Sequence, residues 1–179
     1  MPHWGLTGAS RLRPGCSLHF VIEKVFSGGQ TGVDQAALRA AADSGLAPGG
    51  WCPPGRVCDD GLVPVEFPLR ETPLERSPDA PGVPRSQRTE WNVRDADGTL
   101  LLRPPGLVDA GCDWTERCAQ VYARPILVCD PGATDAAERI GRWLAAQRVH
   151  VLNVAGPSEA IAPGIGARAY GLLRRVFQG

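Results

Sequence analysis

The residues best suited to chemistry stand together in Ser27-Gly28-Gly29-Gln30-Thr31-Gly32-Val33-Asp34. Gly28, Gly29 and Gly32 permit backbone angles closed to other residues. They follow Lys24-Val25-Phe26, a strand-forming run. They precede Val33, Ala36, Ala37, Ala40 and Ala41, which recur at helical period. A tight strand-to-helix turn leaves backbone N–H groups pointing outward, and the helix dipole adds partial positive charge there. The chemistry this suits is capture of a phosphate or another oxyanion. Gln30 and Thr31 add neutral donors. Asp34, in the first helical turn, either complements the dipole or receives a ligand N–H pair. The structural alternative is that the glycines only let the helix pack closely. The run is not a Walker loop, because it lacks Gly-Lys-Ser/Thr, and its spacing is not a dinucleotide fingerprint.

A second group centres on Arg88. Its guanidinium could hold a phosphate or metal oxo group in a forked contact, or serve as a surface or capping arginine. Thr89 shares its short helix, and Asn92 lies four residues on, at nearly the same face. Asn92 either reaches a ligand or satisfies local backbone groups. Gly111 and Thr115 open a further helix. Glu116, just inside it, is the one carboxylate placed for general acid/base work of a nucleoside-hydrolase kind. Its structural reading is a glutamate complementing the dipole. Asn153 ends an apolar strand, and a buried amide needs partners, from a ligand or from the turn at Gly156-Pro157. His3, His19 and His150 do not cluster, and no nucleophile–base pair stands out.

These residues need elements to position them. The first helix ends at Ser44-Gly45, with Gly45 suited to the C′ position. Gly49-Gly50-Trp51-Cys52-Pro53 reads as a short second strand. Residues 55–87 are dense in proline and show no sustained period. That stretch is either a lid over a site or a surface loop covering a sheet edge. A short helix is expected over 88–97 and a buried strand over 99–102. A helix opens at 111, with Trp114, Cys118, Val121 and Tyr122 inward and Asp113 as cap. A buried strand follows over 125–129, then an amphipathic helix over 133–147. The last strand covers 149–154, and the final helix about 163–177. Short apolar strands alternating with amphipathic helices predict an α/β fold. It is a Rossmann-like, doubly wound, mainly parallel sheet of about five strands with helices on both faces. Right-handed crossovers put every strand's carboxyl end on one edge. There the 28–34 turn, the 111–115 helix start and the 153–157 turn meet, and helix N-termini aimed at one crevice favour an anionic ligand.

The bulk numbers narrow the function classes. A chain of 179 residues is long enough for one domain with a real core. That domain is expected over 18–179, after a loose extension over 1–17. Lys+Arg and Asp+Glu both count 19, which argues against a general nucleic-acid binder. No apolar run has the length of a membrane span, and the first residues lack the apolar centre of a signal peptide. None of the six cysteines forms a C-x-x-C pair. A cytoplasmic protein with free thiols, Cys129 among them, is expected rather than a disulfide framework.

Four motifs in order carry a family resemblance: Ser27-Gly28-Gly29-Gln30-Thr31-Gly32-Val33-Asp34, Gly49-Gly50-Trp51-Cys52-Pro53, Arg88-Thr89-Glu90-Trp91-Asn92-Val93 with Asp97-Gly98-Thr99-Leu100, and Leu152-Asn153-Val154-Ala155-Gly156-Pro157. The chain resembles the molybdenum-cofactor carrier family from about residue 22 to residue 177. That family is similar to the wider Rossmann-like set that includes the cytokinin-activating phosphoribohydrolases. The resemblance implies a cytoplasmic protein, plausibly a homo-oligomer, that binds molybdenum cofactor (molybdopterin) and has molybdoenzymes as recipients. It places the ligand against Gly28, Gly29, Gln30, Thr31, Gly32, Asp34, Arg88, Thr89, Asn92, Gly111, Thr115, Asn153, Gly156 and Pro157. One departure stands out. Where the family has Gly-Gly-Thr-x-x-Thr, this chain has Ala110-Gly111-Cys112-Asp113-Trp114-Thr115. The alternative is a nucleotide-processing hydrolase or nucleotide sensor on the same fold. The phosphoribohydrolase turn Pro-Gly-Gly-x-Gly-Thr-x-x-Glu is missing from the sequence.

Overall fold

The computed structural model describes residues 22–179. The expected extension over 1–17, with His3 and Cys16, lies outside the described residues, and so does His19. Five strands form one sheet: β1 (Lys24–Phe26), β2 (Ala47–Gly49), β3 (Gly98–Leu102), β4 (Ile126–Cys129) and β5 (Val151–Ala155). Their spatial order is 2-1-5-3-4 and every neighbouring pair is parallel. The apolar runs of β3 and β5 occupy the middle, where both faces are covered.

Five helices cover the sheet: α1 (Val33–Asp43), α2 (Ser86–Asp95), α3 (Ala110–Val121), α4 (Ala136–Gln147) and α5 (Ile165–Gln178). Alternating side chains of each strand point to opposite faces. Val25, Leu100, Leu102, Leu152 and Val154 meet α1, α4 and α5, through Ala37, Ile140, Leu144 and Leu172. On the other face Leu101 and Ala155 pack with Cys112 of α3. Val93, Trp114, Cys118 and Ala119 join α2 to α3. The small residues Ala36, Ala37, Ala40 and Ala41 are what let α1 lie close to the core.

The order has a simple reading. Followed from β3 through β4 and β5 to β1 and β2, the strands lie as 2-1-3-4-5, a familiar doubly wound arrangement with its ends moved. The chain after β3 leads into α3 on one face, and the chain after β5 leads into α5 on the other. The topological switch point therefore falls between β3 and β5, where ligands of such sheets bind.

Several local expectations change. The second strand is Ala47–Gly49, not Gly49-Gly50-Trp51-Cys52-Pro53. Gly50, at φ 119°, turns the chain out of the sheet, and Trp51–Cys52 pairs instead with Arg70–Glu71. Residues 55–87 are not structureless. They hold a 3₁₀ turn (Pro54–Arg56), a small hairpin (Val57–Cys58 with Gly61–Leu62) and the start of α2. Cys52, Cys58, Val63, Phe67 and Leu69 make a satellite core with Leu38. Arg56 binds the Pro64, Phe67 and Leu69 carbonyls. Strand β4 is an edge, so Val128 is 40% exposed rather than buried. Val121 is 69% exposed at the end of α3 and does not face inward. The five described cysteines are all buried and unpaired. No described helix is long and apolar enough to cross a membrane.

Candidate functional site at the switch point

A crevice of about 220 Å³ opens at the carboxyl ends of β3 and β5. Ala155 and Gly156 form its floor, the first turn of α3 one wall, and the first turn of α2 the other. Gln30, from the glycine turn, and Asp59, from the hairpin tip, close the end. Of the residues expected from sequence, Gln30, Arg88, Thr89, Gly111, Thr115 and Gly156 are brought together here.

Arg88 links the crevice to the glycine turn. Its Nη1 lies 2.8 Å from Asp34 Oδ2. Asp34 is almost wholly buried and also accepts the Gln30 N–H at 3.3 Å. Gly28 makes the contact possible: a Cβ there would fall 1.9 Å from Arg88 Nη1. Burial pushes the Asp34 carboxyl above its ordinary value, and the Arg88 charge and Gln30 N–H offset part of that rise. Arg88 Nε is buried without a hydrogen-bond partner.

Several of the N–H groups expected to point outward have partners within the chain. Thr31 N–H donates to Gln30 Oε1 at 2.8 Å, and Val33 N–H to the Pro157 carbonyl at 3.3 Å. Gly111 and Cys112 N–H donate to Asp109, which is the cap of α3. Asp113, the expected cap, pairs with Arg103 at 2.9 Å. At the start of α5, Gly164 and Gly166 N–H donate to Glu159. Positive charge in the crevice therefore comes from the arginine side chains of α2 and from the start of that helix, which carries no side-chain cap.

Other expected residues sit elsewhere. Gly29 packs beneath Val63 and Leu69, and Gly32 against Pro157 and Ser158. Thr31 lines a separate, larger groove between α1 and α5, and its Oγ1 is buried without a partner. Asn92 clamps Trp51, donating to its carbonyl at 2.9 Å and accepting its N–H at 2.8 Å. Asn153 lies in the middle of β5, buried, and donates to Thr99 Oγ1 of β3 at 3.2 Å. Glu116 binds Arg103 at 3.0 Å and does not line the crevice.

Sequence reasoning missed Arg85, Asp59, Asp109 and Ser158. Arg85 stands three residues before Arg88, so one helical turn brings both to the same side. It has φ 57°, the left-handed region, as the cap residue of α2. Arg85 Nη1 lies 2.8 Å from Asp59 Oδ1, and Gln30 Nε2 donates to the same oxygen at 3.0 Å. Burial raises the Asp59 carboxyl, but Arg85, Ser158 and Gln30 outweigh it and hold the group below its ordinary value. Ser158 Oγ is close enough to contribute, yet makes no hydrogen bond of ordinary geometry. The Cys112 thiol faces the crevice wall and is pushed up by burial and by Asp109, so it stays a neutral thiol. Among the described residues no group of three His, Cys, Asp or Glu side chains is placed to hold a metal ion. The arrangement can grip an oxyanion through two guanidinium groups, with hydroxyl and amide donors beside them.

Comparison with known proteins agrees with this architecture. A crystal structure described as "Putative molybdenum carrier protein", from Syntrophus aciditrophicus SB, is similar at 38% identity and a TM-score of 0.79. The similarity covers 89% of this chain and 96% of that one. No curated protein matches significantly. Residues 25–177 match the circularly permutated YpsA SLOG family. That description fits a doubly wound sheet whose strand order is intact but whose ends have moved, and the chain belongs to this family.

Proposed function

We propose that the protein binds and carries molybdenum cofactor, or a related phosphorylated pterin, at the switch-point crevice. The observation that carries this reading is Arg88: it lines the crevice, and its buried Nε has no partner. A buried donor left unpaired costs free energy, and an oxyanion oxygen would satisfy it. Arg85 adds the second charge, while Gly111, Thr115 and Gly156 shape the wall. The name of the Syntrophus relative supports a molybdenum-related cargo.

Size argues for a divided site. About 220 Å³ suits the phosphorylated end of such a cargo, whereas whole small-molecule sites run to roughly 300–1,000 Å³. The neighbouring groove of about 740 Å³ shares Asp59 as its wall, so the ring portion has space beside the crevice. The reading is of binding, not turnover, because Glu116 is engaged with Arg103 away from the crevice. As a carrier it would work in the cytoplasm, hand its cargo to molybdoenzymes, and assemble as a homo-oligomer.

The test is anaerobic purification from a cofactor-producing host, with metal analysis and pterin detection. Wild-type protein is expected to hold molybdenum and pterin in near-equal amount. Arg85→Ala, and Arg88→Lys, which keeps the Asp34 pair but loses the forked contact, are expected to come out empty yet folded. An empty wild-type protein that takes up no added cofactor but is stabilised by a nucleotide would overturn the carrier reading.

A further inference from the structure

Asp59 holds a position its chain neighbourhood does not explain. Its Oδ1 receives two donors at once, Arg85 Nη1 at 2.8 Å and Gln30 Nε2 at 3.0 Å. The Gln30 amide is also held by other groups, and the Arg85 backbone is fixed although its guanidinium meets only Asp59 among the described residues. Gln30 Oε1 accepts the Thr31 N–H at 2.8 Å and the Asp59 N–H at 2.9 Å, which turns Nε2 toward the crevice. Arg85 projects from a left-handed residue whose own N–H is tied to Glu75 Oε1 at 2.7 Å. A strained backbone at a fixed charge is the usual company of a ligand clamp. Ser158 Oγ, buried on the crevice side and close enough to lower the Asp59 carboxyl, makes no hydrogen bond of ordinary geometry, and Thr31 Oγ1, on the groove that Asp59 also lines, is buried without a partner.

Asp59 stands at the tip of a hairpin with two residues per strand, where Val57 and Leu62 are exposed while Cys58 is anchored in the satellite core. Opening is therefore confined to the two-residue tip, which costs less than opening the core beneath it. Asp59 also lines both the crevice and the larger groove, so its withdrawal would join them.

We propose that the place filled by Asp59 Oδ1, between Arg85 Nη1 and Gln30 Nε2, is an oxyanion subsite for a tetrahedral dianion, entered by displacing the Asp59 carboxylate. The proposal rests on the oxyanion reading of the crevice and deepens it. A phosphate monoester or molybdate carries two charges and several acceptor oxygens, where the carboxylate offers one charge. Such a dianion also reaches the orphaned Ser158 hydroxyl. A monoanion gains nothing over Asp59 and is left out, so Asp59 sets a charge threshold for the ligand.

The experiment is titration calorimetry of the full chain with inorganic phosphate, molybdate and acetate, using wild type, Asp59→Asn, Asp59→Ala and Arg85→Ala. Removing the internal competitor is expected to tighten phosphate binding by at least about tenfold in both Asp59 variants, since a charged hydrogen bond is released for the ligand. Arg85→Ala is expected to lose that binding, and acetate to bind none of them. Hydrogen exchange at the Asp59 amide is expected to speed up when wild type is saturated with phosphate. If molybdate alone shows the gain, the subsite is for the metal oxyanion; if phosphate shares it, for the tetrahedral dianion in general. Folded Asp59 variants that bind neither phosphate nor molybdate tighter than wild type would overturn the subsite, even with the Arg88→Lys result above intact. Failure of every protein to bind either dianion would overturn the crevice reading and the subsite together.

Discussion

Replacing Arg88 by methionine isolates the ion pair beneath the crevice. The perturbation keeps an unbranched stem of similar bulk and removes the guanidinium and its charge. Asp34, 2% exposed, then keeps the Gln30 N–H at 3.3 Å but loses the guanidinium at 2.8 Å. Breaking a buried pair on one side costs about 3–5 kcal/mol, because a charge is left uncompensated in the interior. For a domain of this size about 1 kcal/mol moves the midpoint by roughly 2–4 °C, so a fall of about 6–20 °C is expected near neutral pH. The sign of the pH dependence follows from Asp34. Burial already holds its folded pKa above the ordinary 3.8, and losing Arg88 raises it further. A carboxyl with a raised folded value binds protons more tightly folded than unfolded, so stability falls as pH rises through that window. The gap between variant and wild type is therefore expected to close toward acid pH, below the ordinary carboxylate value, and to widen toward neutrality. The double variant Asp34→Asn with Arg88→Met carries no buried charge and is expected to recover much of the loss. Thermal melts followed by circular dichroism at several pH values measure all three proteins. A pH-independent loss of less than about 2 °C for Arg88→Met, or a double variant no better than the single one, would refute the reasoning.

Two further outcomes test the walls of the site. Asp109→Ala removes the acceptor for the Gly111 and Cys112 N–H groups; the expected loss is about 1 kcal/mol, read as a shift of roughly 2–4 °C in the same melts. The thiols are expected to resist a disulfide reagent at pH 8 while the protein is folded. Burial pushes Cys118 up to about 12 and Cys58, with help from Asp60, up to about 11. Thiolate is the reactive form, so fast labelling of the native protein at any of the five described cysteines would contradict this packing.

Much of the frame was legible because it is written in local periods. Val33, Ala36, Ala37 and Ala40 form a helical stripe wherever the chain runs, and Leu100-Leu101-Leu102 reads as a buried strand from composition alone. Errors came where local information is symmetric. Asp109 and Asp113 both suit a helix start, and only the extended backbone at Asp109 makes it the cap. The run Ile126–Cys129 looks the same in a central strand or an edge strand, and the order of the sheet decides that Val128 meets water. Gly50 was visible, but not its turn out of the sheet toward Arg70 and Glu71.

The site divides along the same line. The types of Gly28, Gln30 and Arg88 suffice to mark a candidate oxyanion-binding region, because their chemistry belongs to each residue on its own. The need of Asn92 and Asn153 for partners was equally plain, since buried amides are not left unpaired. Their choice of Trp51 and Thr99 was settled by strand and helix packing. Tertiary structure alone decided that Asp34 neutralises Arg88, that carboxylates and a carbonyl meet N–H groups at the starts of α1, α3 and α5, and that Asp59 fills the place beside Arg85. The physical reason is distance along the chain. Asp34 and Arg88 are 54 residues apart, and Asp59 and Arg85 are 26 apart. No local period couples charges so far separated, and only the folded sheet brings them within 3 Å of each other.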